Sequence, residues 1–233
     1  MNFEQEFESY LPFWPYLTEE QKEALSAGTS RKSFRAGDNV HGRTGECTGI
    51  LIVLSGKLRS YMLSEDGREI TLYRLGPGSL CILSASCVIE TMTFDVQIDA
   101  ESDAELLLIQ AGVFNRLTKE NVYMDRDIYK EAVARFSDVM WTMQQILFMK
   151  MDRRLALFLV RETEELGTDT LRMTQEQIAR TMGSAREVVT RMLKYFSGEG
   201  LVSLGRGTVT VTDRAALLTL ADPERGTEDV CRL

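Results

Sequence analysis

MTQEQIARTMGSAREVVTRMLKYFSGEGLVSLGRGTVTV, Met173–Val211, is the stretch that decides the fold of the C-terminal part of the chain. Thr174-Gln175-Glu176-Gln177 has the form of a capping box, and Ile178, Ala179 and Met182 follow on one helical face. Gly183 interrupts that helix. Ser184-Ala185-Arg186-Glu187 reads as a second capping box and predicts a second helix starting there. Two short helices joined by a glycine turn have helix-turn-helix geometry.

At roughly 100° per residue, Val188, Val189, Met192, Leu193 and Phe196 of the second helix share one face. Arg186, Glu187, Thr190, Arg191 and Lys194 share the other. A charged face of this kind can be a solvated surface or a reading head for DNA. Its chemistry suits reading: arginine forks match guanine O6 and N7, and a glutamate accepts from cytosine N4. Glu187 has a competing structural role, because the acid of a capping box bonds its own helix start. Beyond Gly198-Glu199-Gly200, LVSLGRGTVTV predicts two strands around Gly205-Arg206-Gly207, a wing whose Arg206 could reach a phosphate. Thr174, Gln175, Ser184, Arg186, Glu187, Thr190, Arg191, Lys194 and Arg206 form the candidate DNA-binding set.

Working back toward the N-terminus, residues 112–150 turn helical. Val133, Phe136, Met140, Met143 and Leu147 recur at three- and four-residue intervals, the spacing of a coiled-coil seam. The same periodicity also fits one amphipathic helix lying on its own domain. Trp141 and Phe148 fall off the seam, in positions to pack on the upstream domain. From Ser33 to Leu108 short runs are punctuated by glycine: FRAGDNV, ILIVLSGKLRSYMLS, REITLYRLGPGSL and DVQIDAESDAELLLI. Leu58, Ser60 and Met62 alternate with Arg59, Tyr61 and Leu63 before Asp66-Gly67, predicting a hairpin in an antiparallel barrel or sandwich. Residues 3–27, with a helix start at Thr18-Glu19-Glu20, read as short helices leading into this domain.

At 233 residues the chain suits a sensor-sized domain plus a smaller output domain. The expected division is 1–118, a dimerisation helix over 119–150, a winged helix-turn-helix over 151–217, and a tail over 218–233. The net charge of −8 is unusual for a DNA binder, so its distribution matters. Residues 150–211 hold ten Lys/Arg against eight Asp/Glu, or +2, which leaves −10 for the rest. Apolar runs such as Gly49–Leu54 fall far short of the roughly 20 residues of a membrane span, and the first residues, MNFEQEFESY, are acidic. Neither membrane insertion nor secretion is indicated. Cys47, Cys81, Cys87 and Cys231 show no CxxC spacing, so a reducing cytoplasm is the expected setting.

The Met173–Val211 stretch closely resembles the output domain of the Crp/Fnr (cyclic AMP receptor/FNR) family of transcription regulators. MDRRLALFLV looks like the helix entering that domain; FRAGDNV, ILIVLSGKLRSYMLSEDGREITLYRLGPGSL and the long helix resemble the family's β-roll and dimerisation helix. The resemblance covers roughly residues 10–215. It implies an α+β chain, with an N-terminal cyclic-nucleotide-binding-like β-roll or double-stranded jelly roll, a long dimerisation helix and a C-terminal winged helix-turn-helix. It further implies a homodimer bound to double-stranded DNA, with RNA polymerase as a further partner. By similarity Arg186, Glu187 and Arg191 fall where receptor-type members touch bases, and Thr190 where FNR-type members carry a serine. That combination implies a pseudo-palindrome of TGTGA-like half-sites.

The sensor half departs from the family pattern. Nucleotide binders carry a glutamate for the ribose and an arginine for the phosphate after the GPG turn, whereas here Ser79–Ile89 has no acid and no arginine occurs between Arg74 and Arg116. A buried phosphate without a partner is costly, which argues against cyclic AMP. An iron–sulfur cluster is disfavoured because the first cysteine is Cys47, and His41 as the sole histidine gives little support for haem. The candidate effector pocket comprises Leu80, Cys81, Ile82, Leu83, Ser84, Ser86 and Cys87 with Val139 and Met140. An uncharged or lipophilic effector suits it. Cys81 and Cys87 fit either a thiol switch or two inert buried cysteines. One histidine cannot furnish the metal site of a cupin-like enzyme, and no catalytic motif appears. A ligand-binding module without DNA readout is the other alternative, disfavoured by the polar recognition face.

Overall fold

The computed structural model describes residues 3–42, 49–65, 67, 69–82, 84 and 96–221. They form two compact units, one made of the described residues up to 64 and from 71 to 140, the other of those in 65–70 and from 141 onward.

The first unit opens with α1 (Glu4–Tyr10), a 3₁₀ turn (Trp14–Tyr16) and α2 (Glu19–Ala27). The helix start read at Thr18 is a full capping box: Thr18 Oγ1 accepts from Gln21 N, and Gln21 Oε1 accepts from Thr18 N. Among the described residues eight strands follow: β1 (Thr29–Phe34), β2 (Asn39–His41), β3 (Ile50–Ser55), β4 (Leu58–Leu63), β5 (Glu69–Leu75), β6 (Leu80–Cys81), β7 (Gln97–Ala100) and β8 (Ala104–Ile109). They build two four-stranded sheets, ordered β1-β8-β3-β6 and β2-β7-β4-β5. Leu51, Val53 and Leu106 of the first sheet and Leu58, Leu72 and Ile98 of the second fill one core between them. Ile50, Ile52, Leu107 and Ile109 face the other way, into a second core made with Phe3, Phe7, Leu11, Phe13 and Trp14. Strand β3 is therefore covered on both sides, which is why it is apolar at consecutive positions rather than at alternate ones. The N-terminal aromatics are a structural layer of the unit, not merely a lead-in to it.

Strand β4 departs from the simple alternation expected of it. Leu58, Arg59, Ser60 and Tyr61 are all buried, while Met62 and Leu63 are exposed. Arg59 Nε donates to Thr71 Oγ1 at 2.8 Å, its guanidinium lies over the Tyr61 ring, and Tyr61 donates to Asp99 Oδ2 at 2.8 Å. These contacts offset part of the cost of burying Arg59 and the Tyr61 hydroxyl.

The β3–β4 turn depends on Gly56, whose φ is +83° and whose missing Cβ would lie 2.3 Å from the Asp103 carbonyl oxygen. Gly56→Ala combines left-handed strain with a backbone clash. It is expected to cost about 2 kcal/mol or more, read as a lower urea midpoint at unchanged m-value.

Helix α3 (Ala111–Glu120) leads to α4 (Val122–Phe148). Asn121 joins them: its Oδ1 accepts from Tyr123 N and Met124 N, and its Nδ2 donates to Tyr16 O and Gln21 Oε1.

The second unit contains α5 (Met151–Leu166), β9 (Thr170–Leu171), α6 (Gln175–Met182), α7 (Arg186–Gly198), β10 (Val202–Gly205), β11 (Thr208–Val211) and α8 (Arg214–Ala221). Leu155, Leu159, Ile178, Val189, Leu193, Phe196, Val209 and Leu217 share its core. Helix α8 carries the packed structure to Ala221, past the expected end at residue 217, and Arg153 Nε donates to the Ala221 carbonyl at 2.7 Å. Among the described residues no helix is long and apolar enough to cross a membrane.

Candidate nucleic-acid interface

Helix α6 begins as its sequence predicts. Thr174 Oγ1 accepts from Gln177 N at 3.2 Å, and Gln177 Oε1 accepts from Thr174 N at 2.8 Å. Thr174→Ala is expected to lower the stability of this unit by about 1 kcal/mol, visible as a fall in its melting temperature. Ile178, Ala179 and Met182 are buried, and the helix closes at Gly183, which is left-handed at φ +61°.

The closure corrects the second capping box. Ser184 N donates back to Ala179 O at 2.9 Å, so this residue finishes α6 rather than starting α7. Ala185 is the N-cap of α7, with no side-chain cap bond, and Ser184 Oγ lies against Met151 Sδ. Glu187 is thereby relieved of the competing capping role and stands exposed in the first turn of α7.

The two faces of α7 separate as their periodicity predicts. Val189, Leu193 and Phe196 are fully buried, with Met192 partly so. Arg186, Glu187, Arg191 and Lys194 are exposed together, while Thr190 is partly buried and donates to Gln175 Oε1 at 2.7 Å. The wing is the antiparallel pair β10–β11, registered Val202↔Val211 to Gly205↔Thr208, with Arg206 and left-handed Gly207 at its exposed tip. Strand β9 pairs with the inner side of β11 and roots the wing in the unit. A cleft of about 360 Å³ lies between wing and helices, lined by Gln175, Glu176, Arg186, Gly205 and Thr208 among others. Its Glu176–Arg186 pairing, Oε2 to Nε at 3.8 Å, was not legible in the sequence because it joins two helices across a turn.

The candidate effector residues are not gathered in one place. Cys81, 1% exposed, and Val139 belong to the core between the sheets, whereas Leu80 and Ile82 pack with the N-terminal aromatics. Ser84 is buried and donates to Gly49 O at 2.7 Å and to Cys81 O. Met140 is exposed with Val133, Phe136, Met143 and Leu147 on α4. Leu83, Ser86 and Cys87 lie outside the described residues, as do Cys47 and Cys231. Sequence reasoning missed Arg135, which stands over the Tyr73 ring and is held by Glu131 at 3.0 Å and Asp138 at 2.9 Å. Burial pushes the Tyr73 hydroxyl well above its ordinary range, so it stays protonated beside Ser60 and Cys81.

Two expectations for α4 need correction. Phe148 is not packed away: its side chain is 81% exposed. Trp141 is partly exposed and receives the Arg161 guanidinium over its ring, 5.7 Å from the centroid, where a cation–π contact replaces the apolar packing expected of it.

A winged helix-turn-helix following a β-roll and a long helix defines a DNA-binding transcription regulator. Residues 153–220 match the Crp-like helix-turn-helix domain, and residues 31–121 match the cyclic nucleotide-binding domain. A solved structure of a crp/fnr-family protein from Eubacterium rectale, assigned as a transcriptional regulator, superposes with a TM-score of 0.88 at 43% identity, covering 91% of this chain and 99% of its own. The cyclic AMP receptor protein of Thermus thermophilus is 23% identical over 210 residues, 90% of this chain and 96% of its own. The transcriptional regulator SdrP of the same organism is 26% identical over 198 residues, 82% of this chain and 93% of its own. The chain belongs to the Crp/Fnr family, a family of regulators rather than enzymes.

Proposed function

We propose that this regulator works in the cytoplasm as a homodimer that reads a pseudo-palindromic site with TGTGA-like half-sites, under an effector other than a cyclic nucleotide. The observation that carries the reading is the exposed row Arg186, Glu187, Arg191 and Lys194 on a helix whose opposite side buries Val189, Leu193 and Phe196. In a symmetric dimer two such helices enter successive major grooves about one turn apart. Arg186 takes a guanine edge, Glu187 a cytosine amine, Arg191 a second base, and Lys194 and Arg206 the phosphates. Thr174, Gln175, Ser184 and Thr190 border that surface.

Residues 1–118 sense, 119–150 dimerise and 151–217 read DNA, with contacts to RNA polymerase as the route to transcription. The apolar stripe of α4 supports dimerisation, since a row of Val133, Phe136, Met140, Met143 and Leu147 left in water is unfavourable. Cys81 in the core between the sheets and Val139 packed against that core suit an apolar effector.

Selection of bound sequences from a random duplex library is expected to return a two-fold TGTGA-like pattern. A bound pool without two-fold symmetry would overturn the site, and native mass spectrometry showing bound cyclic AMP would overturn the effector class.

A further inference from the structure

Helix α6 stands behind the helix that reads bases, yet its first two residues reach forward to it. Gln175 Oε1 accepts from Thr190 Oγ1 at 2.7 Å, and Glu176 Oε2 lies 3.8 Å from Arg186 Nε. The two contacts differ in kind. The Gln175–Thr190 bond is neutral and partly buried, so it fixes a rotamer. The Glu176–Arg186 pair is exposed, with 57% and 64% of the respective side-chain surfaces accessible, and it lines the cleft beside the wing.

An exposed ion pair adds little to stability, but this one places a carboxylate where a DNA backbone would pass. Its geometry matters more than its strength. Glu176 approaches Arg186 from the Nε edge, and guanidinium has five N–H donors. The contact is made at Nε, and it does not use the end-on pair on Nη1 and Nη2. A guanine edge offers that fork two uncharged acceptors, O6 and N7, and can be taken while Glu176 keeps its hold. A phosphate approaching the same fork brings a negative charge toward the Glu176 carboxylate and is repelled. The carboxylate thus disfavours the sequence-independent use of Arg186 more than the sequence-dependent one.

We propose that Glu176 is a specificity-determining positioning residue, which holds Arg186 for guanine and discourages it from phosphate. This rests on α7 being the base-reading helix, as set out above. The test compares wild type, Glu176→Gln, Arg186→Ala and the double variant by fluorescence anisotropy between 50 and 200 mM salt. The probes are a duplex carrying a TGTGA pseudo-palindrome and a scrambled duplex of equal composition.

Glu176→Gln is expected to bind the scrambled duplex about 3–10-fold more tightly, with a log–log salt slope steeper by about one per reading helix engaged, as one more phosphate is neutralised. Its affinity for the pseudo-palindrome should change less than about threefold, so discrimination falls. In the Arg186→Ala background the same substitution should leave discrimination unchanged. An unchanged salt slope on scrambled DNA, or an equal loss of discrimination without Arg186, overturns the proposal. If wild type fails to prefer the pseudo-palindrome, the TGTGA assignment falls, while the slope on scrambled DNA still decides the role of Glu176.

Discussion

Phe136→Asp is expected to separate the protein into monomers and to abolish tight binding to a two-fold site. Phe136 is 66% exposed in the middle of the α4 stripe, with Val133 and Met140 one turn to either side. In the proposed dimer each stripe covers the other, and a symmetric interface meets every substitution twice. A carboxylate there would be desolvated opposite a second carboxylate, at a cost of several kcal/mol. Sedimentation velocity should show the species halving in mass at micromolar concentration. Affinity for the palindrome should drop by about 10²–10⁴, the advantage that linking two reading heads confers. Phe136→Leu, which keeps the stripe apolar, should remain dimeric. A Phe136→Asp protein that stays dimeric would show that α4 does not form the seam.

The second large effect is at Arg186. Arg186→Ala removes the fork aimed at guanine and is expected to weaken cognate binding by about 1–3 kcal/mol per half-site. Competition against half-sites altered one base at a time should show the loss of preference concentrated at one guanine position. Arg186→Lys should not restore it, because a lysine point charge cannot make two parallel hydrogen bonds. A uniform loss over all sequences would instead make Arg186 a phosphate contact.

The parts of the second unit that were legible in the sequence are those fixed by neighbours along the chain. Thr174 and Gln177 cap each other within one turn, Gly183 alone accepts the left-handed closure cheaply, and the spacing of Val189, Leu193 and Phe196 identifies the buried side of α7. The second cap was misread for a physical reason. Ser184 and Ala185 are both adjacent to the helix start, and the choice between them depends on how the Gly183 turn returns an amide to Ala179. Pattern matching cannot see that bond.

Long-range features were hidden in the same way. The Glu176–Arg186 and Gln175–Thr190 contacts join two helices, and the buried Arg59 is stabilised by Thr71 on the next strand. Helix α8 is recognisable as packed only once Leu217 is found in the core of its unit. The effector residues fared worst, because adjacent residues on a strand face opposite sides of its sheet. Leu80 and Cys81 of β6 therefore pack toward different cores although they are consecutive.

Asn121 gives the long helix a mechanical character. Its side chain caps the first turn of α4 with one end and grips Tyr16 and Gln21 of the N-terminal layer with the other. Rolling α4 at this end would break bonds that are partly buried and costly to leave unmade. The grip continues along the helix: Ile128 and Ala132 pack on the N-terminal core, Arg135 stands over the Tyr73 ring, and Val139 lies against the core between the sheets. Up to Val139 the helix is riveted to its unit at nearly every turn, so a shift of that unit's sheets is passed to α4 as displacement of a rigid rod rather than as free rolling.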